Sequence, residues 1–317
     1  MPTRDTYFDS LKAFLMIFVI LGHSLDLGGG INDRLANSLQ YWIYTFHMPL
    51  FVFITGYFTN CQSKNFKKGI LNLLVVYVIF QALHIVEDRR MPVIRDLLCP
   101  AFSLWYILSC VWWRLIARLF EKIGIKSKVE LLTFSVILSL IVGFIPYSTI
   151  FSTQRTFAFL PFFMLGFMMR GFDVKDCVKS INQELCYLCL IIIFILIYWA
   201  SIDFFPYLTG RYWYSKMPVP VCMGVASRVL WLVGASVMSV LVMRLVPDSK
   251  YLANEGRKTL QYYLLHTLMF PVCWAICNKL SIAHNLLSAL GISIFCIVAI
   301  YWIKDWKIVS LLVKPIK

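Results

Sequence analysis

The sequence predicts an all-α, polytopic integral membrane protein with about ten transmembrane helices. Three observations lead to this prediction: 60% of the 317 residues are hydrophobic, only 15% are charged, and the mean hydropathy is +0.75. A soluble domain has roughly 45–50% apolar and about 25% charged residues. This chain has too few polar side chains to cover a water-facing surface. The composition therefore argues against a soluble enzyme, a nucleic-acid-binding protein and a disordered scaffold.

The hydropathy pattern divides into ten apolar stretches. A helix needs about 20 predominantly apolar residues to cross the hydrocarbon core. The sixth stretch is short and the eighth is long, and the polar and turn-forming residues fall between stretches. Because no low-complexity linker interrupts the pattern, we expect a single transmembrane domain over residues 1–317. The stretches are residues 8–28, 40–60, 69–86, 101–119, 131–150, 156–170, 185–205, 219–246, 258–279 and 283–303.

The basic residues predict the orientation of these helices. The formal net charge is +14, from 30 Lys and Arg against 16 Asp and Glu. If the spans alternate from the N-terminus, 21 of the 30 basic residues fall on the N-terminal side and nine on the other. Cytoplasmic loops carry the excess of Lys and Arg. We therefore expect both termini in the cytoplasm, a location in the inner (cytoplasmic) cell membrane, and Arg155 near the outer end of the sixth span.

The first apolar stretch contains Asp9, Lys12, His23 and Asp26. Ionisable groups within a span cost about 2.5–3.5 kcal/mol at mid-helix and usually face a cavity or a partner. Asp9 and Lys12 are three residues apart, so they can form an ion pair. Lys12 and His23 lie on nearly the same face, about 16 Å apart. Asp26 follows one turn after His23 and is a candidate to orient its imidazole.

The second stretch contains His47 and, two residues later, Pro49. His47 lies at a depth comparable with that of His23 on the preceding antiparallel helix. Pro49 interrupts the backbone hydrogen bonds, which is tolerated where a cavity or a neighbouring helix satisfies the freed carbonyl. We therefore expect His23 and His47 to share one cavity.

Five segments, in order along the chain, resemble motifs of the membrane-integral acyltransferase-3 family. In the first segment Lys12 stands where the family more often has Arg, which keeps the charge but loses the planar fork. The segments are Arg4 with Asp9, Lys12 and His23; Phe46–Phe51 followed by Thr55–Phe58; Leu104–Leu108; Arg155 followed by Leu160–Gly166; and Thr259–His266.

The resemblance implies transfer of an acyl group, commonly acetyl from acetyl-CoA, to a hydroxyl of a surface polysaccharide or its lipid-linked precursor. A sugar hydroxyl needs a base within hydrogen-bonding distance, and a neutral imidazole can accept its proton. We expect His23 to be this base, Asp26 or His47 to orient it, and Arg155 to stabilise the oxyanion or bind the acceptor. A covalent acyl-histidine intermediate is the alternative mechanism.

The expected acyl donor, acetyl-CoA, carries several phosphates, and basic residues on the cytoplasmic side are candidates to bind them. Those residues are Lys12, Lys64, Lys67 and Lys68, although a topology signal alone also explains the lysine cluster. Asp9, Tyr263 and His266 are further possible site residues. The cysteine spacings lack a companion pair for zinc, so we expect no metal and interpret the cysteines as small buried hydrophobes.

Two other classes of protein fit the composition, namely a transporter or polysaccharide exporter and an accessory subunit without activity. Transporters with inverted repeats show two matched halves with broken helices. Here the internal similarity is short and unevenly spaced, comprising Thr45–Phe51 and Thr156–Phe162. The titratable residues on the first two helices therefore favour an enzyme.

Overall fold

The computed structural model describes residues 5–27, 31–89, 91, 93–125, 127–146, 150–200 and 202–314. Their regular secondary structure is entirely helical, with no strand, so the all-α prediction is confirmed. The helices are α1 Thr6–Leu25, α2 Arg34–Tyr57, α3 Phe66–Glu87, α4 Ile94–Leu98, α5 Trp105–Ile123, α6 Lys128–Ile141, α7 Thr153–Ala158, α8 Leu160–Met168, α9 Val174–Lys179, α10 Gln183–Trp199, α11 Phe205–Leu208, α12 Val221–Leu245, α13 Lys250–Gly256, α14 Thr259–Lys279, α15 Leu286–Ile303 and α16 Lys307–Val313.

Each of the ten predicted stretches overlaps at least one helix. The sixth is divided between α7 and α8, which meet at Phe159 just before Pro161. Among the described residues, α1, α3, α12, α14 and α15 are long and apolar enough to cross a membrane, and α10 is a shorter apolar helix. Large apolar side chains are exposed along these helices, for example Leu188 and Ile192 on α10. The ten-span count stays a prediction.

The chain forms two compact units. Helices α2 and α12 contribute residues to both, and α2 passes from one unit to the other at Pro49. The first unit comprises Met1–Met48, Asp173–Asp203 and Val237–Val313; the second comprises Pro49–Phe172, Phe204–Ser236 and Lys314–Lys317. The single domain over residues 1–317 stays a prediction.

In the first unit, α1 contacts α13, α14 and α15. The side chain of Asp5 caps its N-terminus by accepting from the backbone N–H groups of the next turn. Gly256 lies so close to α1 that a Cβ there would overlap the carbonyl oxygen of Asp9. At the other end of α1, the Ser24 hydroxyl donates to the carbonyl of Ala289 at 2.8 Å. These contacts fix α1, which carries His23, against α13 and α15, and α14, which carries His266, packs on α1 as well.

In the second unit, α5 packs against α7 and α8. The indole N–H of Trp113 donates to the carbonyl of Thr156 at 2.7 Å, and the hydroxyls of Ser109 and Thr156 are 2.7 Å apart. On α6, the Ser139 hydroxyl donates to the carbonyl of Ala158 at 3.0 Å. All these groups are buried, and their hydrogen bonds hold the broken sixth stretch in place.

Candidate active site

His23 and His266 form a hydrogen-bonded pair in the first unit. The Nδ1 atom of His23 on α1 lies 2.9 Å from the Nε2 atom of His266 on α14. Their rings are stacked, with centroids 5.2 Å apart and planes 15° apart. His266 is fully buried and His23 partly exposed. The two imidazoles are therefore a candidate proton-accepting site with one ring accessible and the other enclosed.

The hydrogen bonds of this pair assign the protons of both neutral rings. His266 Nδ1 lies 2.9 Å from the carbonyl oxygen of Tyr262. Because a carbonyl only accepts, Nδ1 of His266 carries a hydrogen, and its Nε2 is then an acceptor. His23 must therefore donate from Nδ1, which leaves the lone pair on its Nε2. This chain of bonds gives His23 the tautomer that a general base needs.

The surroundings of His266 restrict the orientation of its ring. Tyr263 and Phe270 on the same helix pack their ring edges against it, at centroid distances of 5.9 and 5.2 Å. The hydroxyl of Tyr262 donates to Glu255 at 2.9 Å, and Glu255 forms an ion pair with the buried Lys304 at 2.8 Å. Helix α14 is thereby anchored on the turn that precedes His266.

Of the two residues predicted to orient His23, His47 bonds to the backbone of its own helix and Asp26 caps α1. His47 donates from Nδ1 to the carbonyl of Ile43 at 2.8 Å, and its ring packs on Tyr44 at 4.9 Å. The Tyr44 hydroxyl in turn donates to the carbonyl of Gly22, beside His23, at 3.4 Å. Asp26 is the C-terminal cap of α1, with its backbone N–H directed at Gly22. Orienting roles for these two residues stay predictions.

The ion pair predicted near the start of α1 is present. Lys12 Nζ lies 2.5 Å from Asp9 Oδ1. Arg257, which sequence analysis did not single out, lies 3.5 Å from the other carboxylate oxygen. Asp9 is buried, whereas Lys12 is partly exposed and Arg257 is exposed. Arg4, part of the same sequence motif, lies outside the described residues. The result is a carboxylate held between two accessible cations.

The remaining predicted site residues belong to the second unit. Arg155 on α7 places its guanidinium over the ring of Trp105, 4.8 Å from the centroid. Lys64 lies in the turn before α3, and Lys67 and Lys68 lie in its first turn; all three are exposed. Their exposure leaves the lysines accessible to an anionic group.

Cysteines and metal ligands do not form a second centre in the described part of the chain. All ten cysteines are described and none forms a disulfide. Among the residues with described positions, no group of three or more His, Cys, Asp and Glu side chains could hold a metal ion. His284, which the sequence places in a loop, has its Nε2 atom 3.2 Å from the carbonyl of Ser24, next to His23.

Comparison with known proteins identifies the family. A family model described as an acyltransferase domain matches residues 5–305. The chain therefore belongs to the acyltransferase-3 family, and the resemblance seen in its motifs is confirmed. The chain thus combines the acyltransferase domain of this family with helices that are long and apolar enough to cross a membrane.

Two similar proteins are both named nodulation protein NolL. The protein from Sinorhizobium fredii (strain NBRC 101917 / NGR234) is 28% identical over 192 residues, which cover 52% of this chain and 48% of that relative. The protein from Mesorhizobium japonicum (strain LMG 29417 / CECT 9101 / MAFF 303099) is 30% identical over 112 residues, which cover 34% of this chain and 26% of that relative. The chain thus spans about half or less of these relatives. No solved structure matches it.

Proposed function

We propose that this protein transfers an acyl group, acetyl in the first instance, from acyl-CoA to a hydroxyl of a surface polysaccharide or of its lipid-linked precursor. The observation that carries this proposal is the hydrogen-bonded pair of His23 and His266 in a member of an acyltransferase family. A hydroxyl attacks a thioester only if a base removes its proton, and the pair presents a neutral imidazole in the required tautomer.

In the proposed reaction His23 acts as general base. Its Nε2 atom accepts the proton of the sugar hydroxyl while the hydroxyl oxygen forms a bond to the thioester carbonyl carbon. The imidazolium that forms keeps its Nδ1–H bond to His266. As the carbon–sulfur bond breaks, the thiolate of CoA leaves, and the proton on His23 Nε2 neutralises it. We assign to Arg155 the stabilisation of the oxyanion or the binding of the acceptor, because its guanidinium is a fixed positive charge.

Exposed lysines are the proposed contacts for the phosphates of the donor. Lys67 and Lys68 are exposed at the start of α3, beside Lys64 in the preceding turn. Lys12 is partly exposed but already neutralised by Asp9, so we expect it to contribute less. Surface ion pairs of this kind weaken as salt screens them over about 8–10 Å. Binding of acetyl-CoA should therefore weaken with rising ionic strength.

The proposed arrangement in the membrane has ten spans and both termini in the cytoplasm of the producing cell. It is supported by the distribution of Lys and Arg, 21 against nine. It is also supported by the helix found in each apolar stretch. In this arrangement Lys64, Lys67 and Lys68 are on the side where acyl-CoA is made.

The test is to compare surface glycans from cells that express the wild type, His23→Ala or no copy of the gene. Mass spectrometry should show one added acyl mass, removed by mild alkali, with the wild type alone. His23→Ala should lower the transfer rate by about 10²–10⁴-fold. The matched control is His84→Ala, which removes a buried histidine from the second unit, where it pairs with Glu87.

The purified protein provides the second measurement. With acetyl-CoA and a soluble glycan acceptor, the wild type should release free CoA thiol in step with acetylated glycan. A well-folded His23→Ala variant that acylates at the wild-type rate would exclude His23 as the base. Lack of any acyl mass on glycans from wild-type cells would contradict the proposed acceptor.

A further inference from the structure

Arg228 on α12 is a buried cation that lacks a carboxylate partner. Its side chain is 1% exposed, and its Nη2 atom donates to the carbonyl of Tyr212 at 3.3 Å. The Nε and Nη1 atoms have no hydrogen-bond partner among the described residues. Every Asp and Glu of the chain belongs to those residues, and none of them forms an ion pair with Arg228. The Tyr214 phenol also lies close to the guanidinium, and a buried cation that has no carboxylate partner is costly and typical of a functional site.

Two more buried donors, one beside Arg228 and one on the loop that Arg228 contacts, also lack acceptors within the described part of the chain. The indole Nε1 of Trp231 is one of them, and the guanidinium of Arg228 lies 5.5 Å from the centroid of that ring. The Thr209 hydroxyl is the other, three residues before the carbonyl that Arg228 contacts. We call Arg228, Trp231 and Thr209 the donor cluster. Native proteins leave few buried polar groups unpaired, so three in one region need an explanation.

Aromatic side chains and a fixed loop surround the donor cluster. Phe159 and Phe162 pack edge-on against Trp231, at 5.1 and 5.4 Å. Gly210, which follows Thr209, has a φ of +67°, and a Cβ there would come within 2.9 Å of the Phe159 ring. Glycine is therefore required at the point where the loop passes Phe159. An apolar wall with a few converging polar groups is typical of a small-molecule site.

We propose that the donor cluster binds an oxyanion, either a carboxylate or a phosphate group of a small organic ligand. The cluster supplies a positive charge and hydrogen-bond donors, with no acidic side chain paired to that charge, which is the chemical complement of an anion. Both groups carry at least two oxygens, which can accept hydrogen bonds from donors on different residues. The oxyanion has two sources in a membrane, an acidic or phosphorylated sugar and the headgroup of an anionic lipid.

The test measures binding by the purified full-length protein in phosphatidylcholine nanodiscs. The probes are glucuronate, glucose 1-phosphate and, as the uncharged control, glucose. Arg228→Met, which keeps the side-chain length and removes the charge, should raise the Kd of both anionic probes roughly 10- to 100-fold and leave that of glucose unchanged. The matched control is Arg118→Met, because Arg118 also stacks on a ring, that of Phe66, but is partly exposed. It should bind as the wild type does.

Two further variants test the donor cluster even if Arg228→Met does not fold. Trp231→Phe and Thr209→Val each remove one donor and keep the approximate volume, and each should weaken the anionic probes roughly 3- to 10-fold. Nanodiscs that contain phosphatidylglycerol distinguish the two sources. If this lipid competes with glucuronate for the wild type, the donor cluster binds a lipid headgroup. If it does not compete, the cluster binds a sugar acid or a sugar phosphate. Equal Kd values for wild type and all three variants, with no lipid effect, would show that only water satisfies these donors.

Binding is measured without acyl transfer, so the outcome is independent of the proposed reaction. If acetyl-CoA is not a donor but the anionic probes still depend on Arg228, the oxyanion site stands and the proposed function fails. If acyl transfer is found and the Kd values of the anionic probes do not depend on Arg228, the proposed function stands and the oxyanion site fails.

Discussion

Gly56 on α2 and Gly166 on α8 lie at a crossing where the two backbones touch. A Cβ on Gly56 would overlap the carbonyl oxygen of Phe163, and a Cβ on Gly166 would overlap that of Phe53. Both glycines belong to motifs that resemble the family, one in the second apolar stretch and one in the sixth. Small residues permit such close helix packing in membranes. The motifs therefore encode, at least at these positions, a helix contact.

Gly166→Ala should destabilise the protein because the backbones at the crossing must move apart. Overpacking of this kind costs about 1–3 kcal/mol of the free energy of unfolding. Thermal unfolding in detergent should show a lower midpoint than for the wild type. Gly234→Ala is the control, since Gly234 is exposed on α12 with no atom within 4 Å of the added Cβ. Equal midpoints for the two variants would mean that the crossing relaxes without cost.

Lys304→Met should be the most destabilising single charge removal in the first unit. Lys304 is 4% exposed and pairs with Glu255, which is 17% exposed, at 2.8 Å. Removing one partner of a buried pair costs about 3–5 kcal/mol because the other charge remains buried. The double variant Lys304→Met/Glu255→Gln should recover much of this loss. Equilibrium unfolding in detergent measures the difference between the single and double variants.

The comparison variant for that pair is Lys258→Met. Lys258 pairs with Asp305 at 2.6 Å, but Asp305 is 63% exposed. Exposed pairs typically contribute about 0–1 kcal/mol. If Lys258→Met and Lys304→Met lose the same stability, burial does not determine the strength of these pairs.

Local features of the structure could be predicted from the sequence. The positions of the long helices were predicted by the apolar stretches, because hydropathy over about 20 residues decides whether a helix is favourable in lipid. The ion pair of Lys12 and Asp9 followed from their spacing on one helix, since residues three apart share a face. The sixth stretch is short in the sequence, but the break before Pro161 was not predicted.

The contact of His23 with His266 could not be predicted, since 243 residues separate them. The sequence named His266 only as a further possible site residue and did not pair it with His23. The two helices meet because α13 packs along α1 and the following α14 contacts α1 as well. His266 is about ten residues closer to the start of its helix than His23, an offset of about 15 Å. Sequence alone gives depth within a span but not the register between spans.

The arrangement in the membrane predicts opposite labelling at two exposed lysines. We expect Lys67→Cys to lie on the cytoplasmic side and Lys216→Cys on the outer side, each in a cysteine-free background. Both positions are exposed, so accessibility to water does not differ between them. A membrane-impermeant maleimide should label only position 216 in intact cells and only position 67 in inverted vesicles. Labelling of position 67 in intact cells would reverse the predicted orientation.

His266→Phe should lower kcat by roughly 10²–10⁴-fold and change the KM for acetyl-CoA little. Phenylalanine fills the space of the buried ring but leaves Nδ1 of His23 without its acceptor, so the base is no longer held in the productive tautomer. His266→Gln should restore part of kcat, because its amide oxygen can accept the same hydrogen bond. Steady-state kinetics with reconstituted enzyme separates kcat from KM.

The control for His266→Phe is Phe270→Leu, which alters the packing on the same ring and leaves the hydrogen bonds of His266 intact. Its kcat should remain close to that of the wild type. If the two histidines act as one unit, His23→Ala/His266→Phe should be no slower than His23→Ala alone. A double variant slower by the product of the two single effects would mean that His266 acts independently of His23. If His266→Phe has the same kcat as the wild type, His266 only packs and takes no part in the reaction.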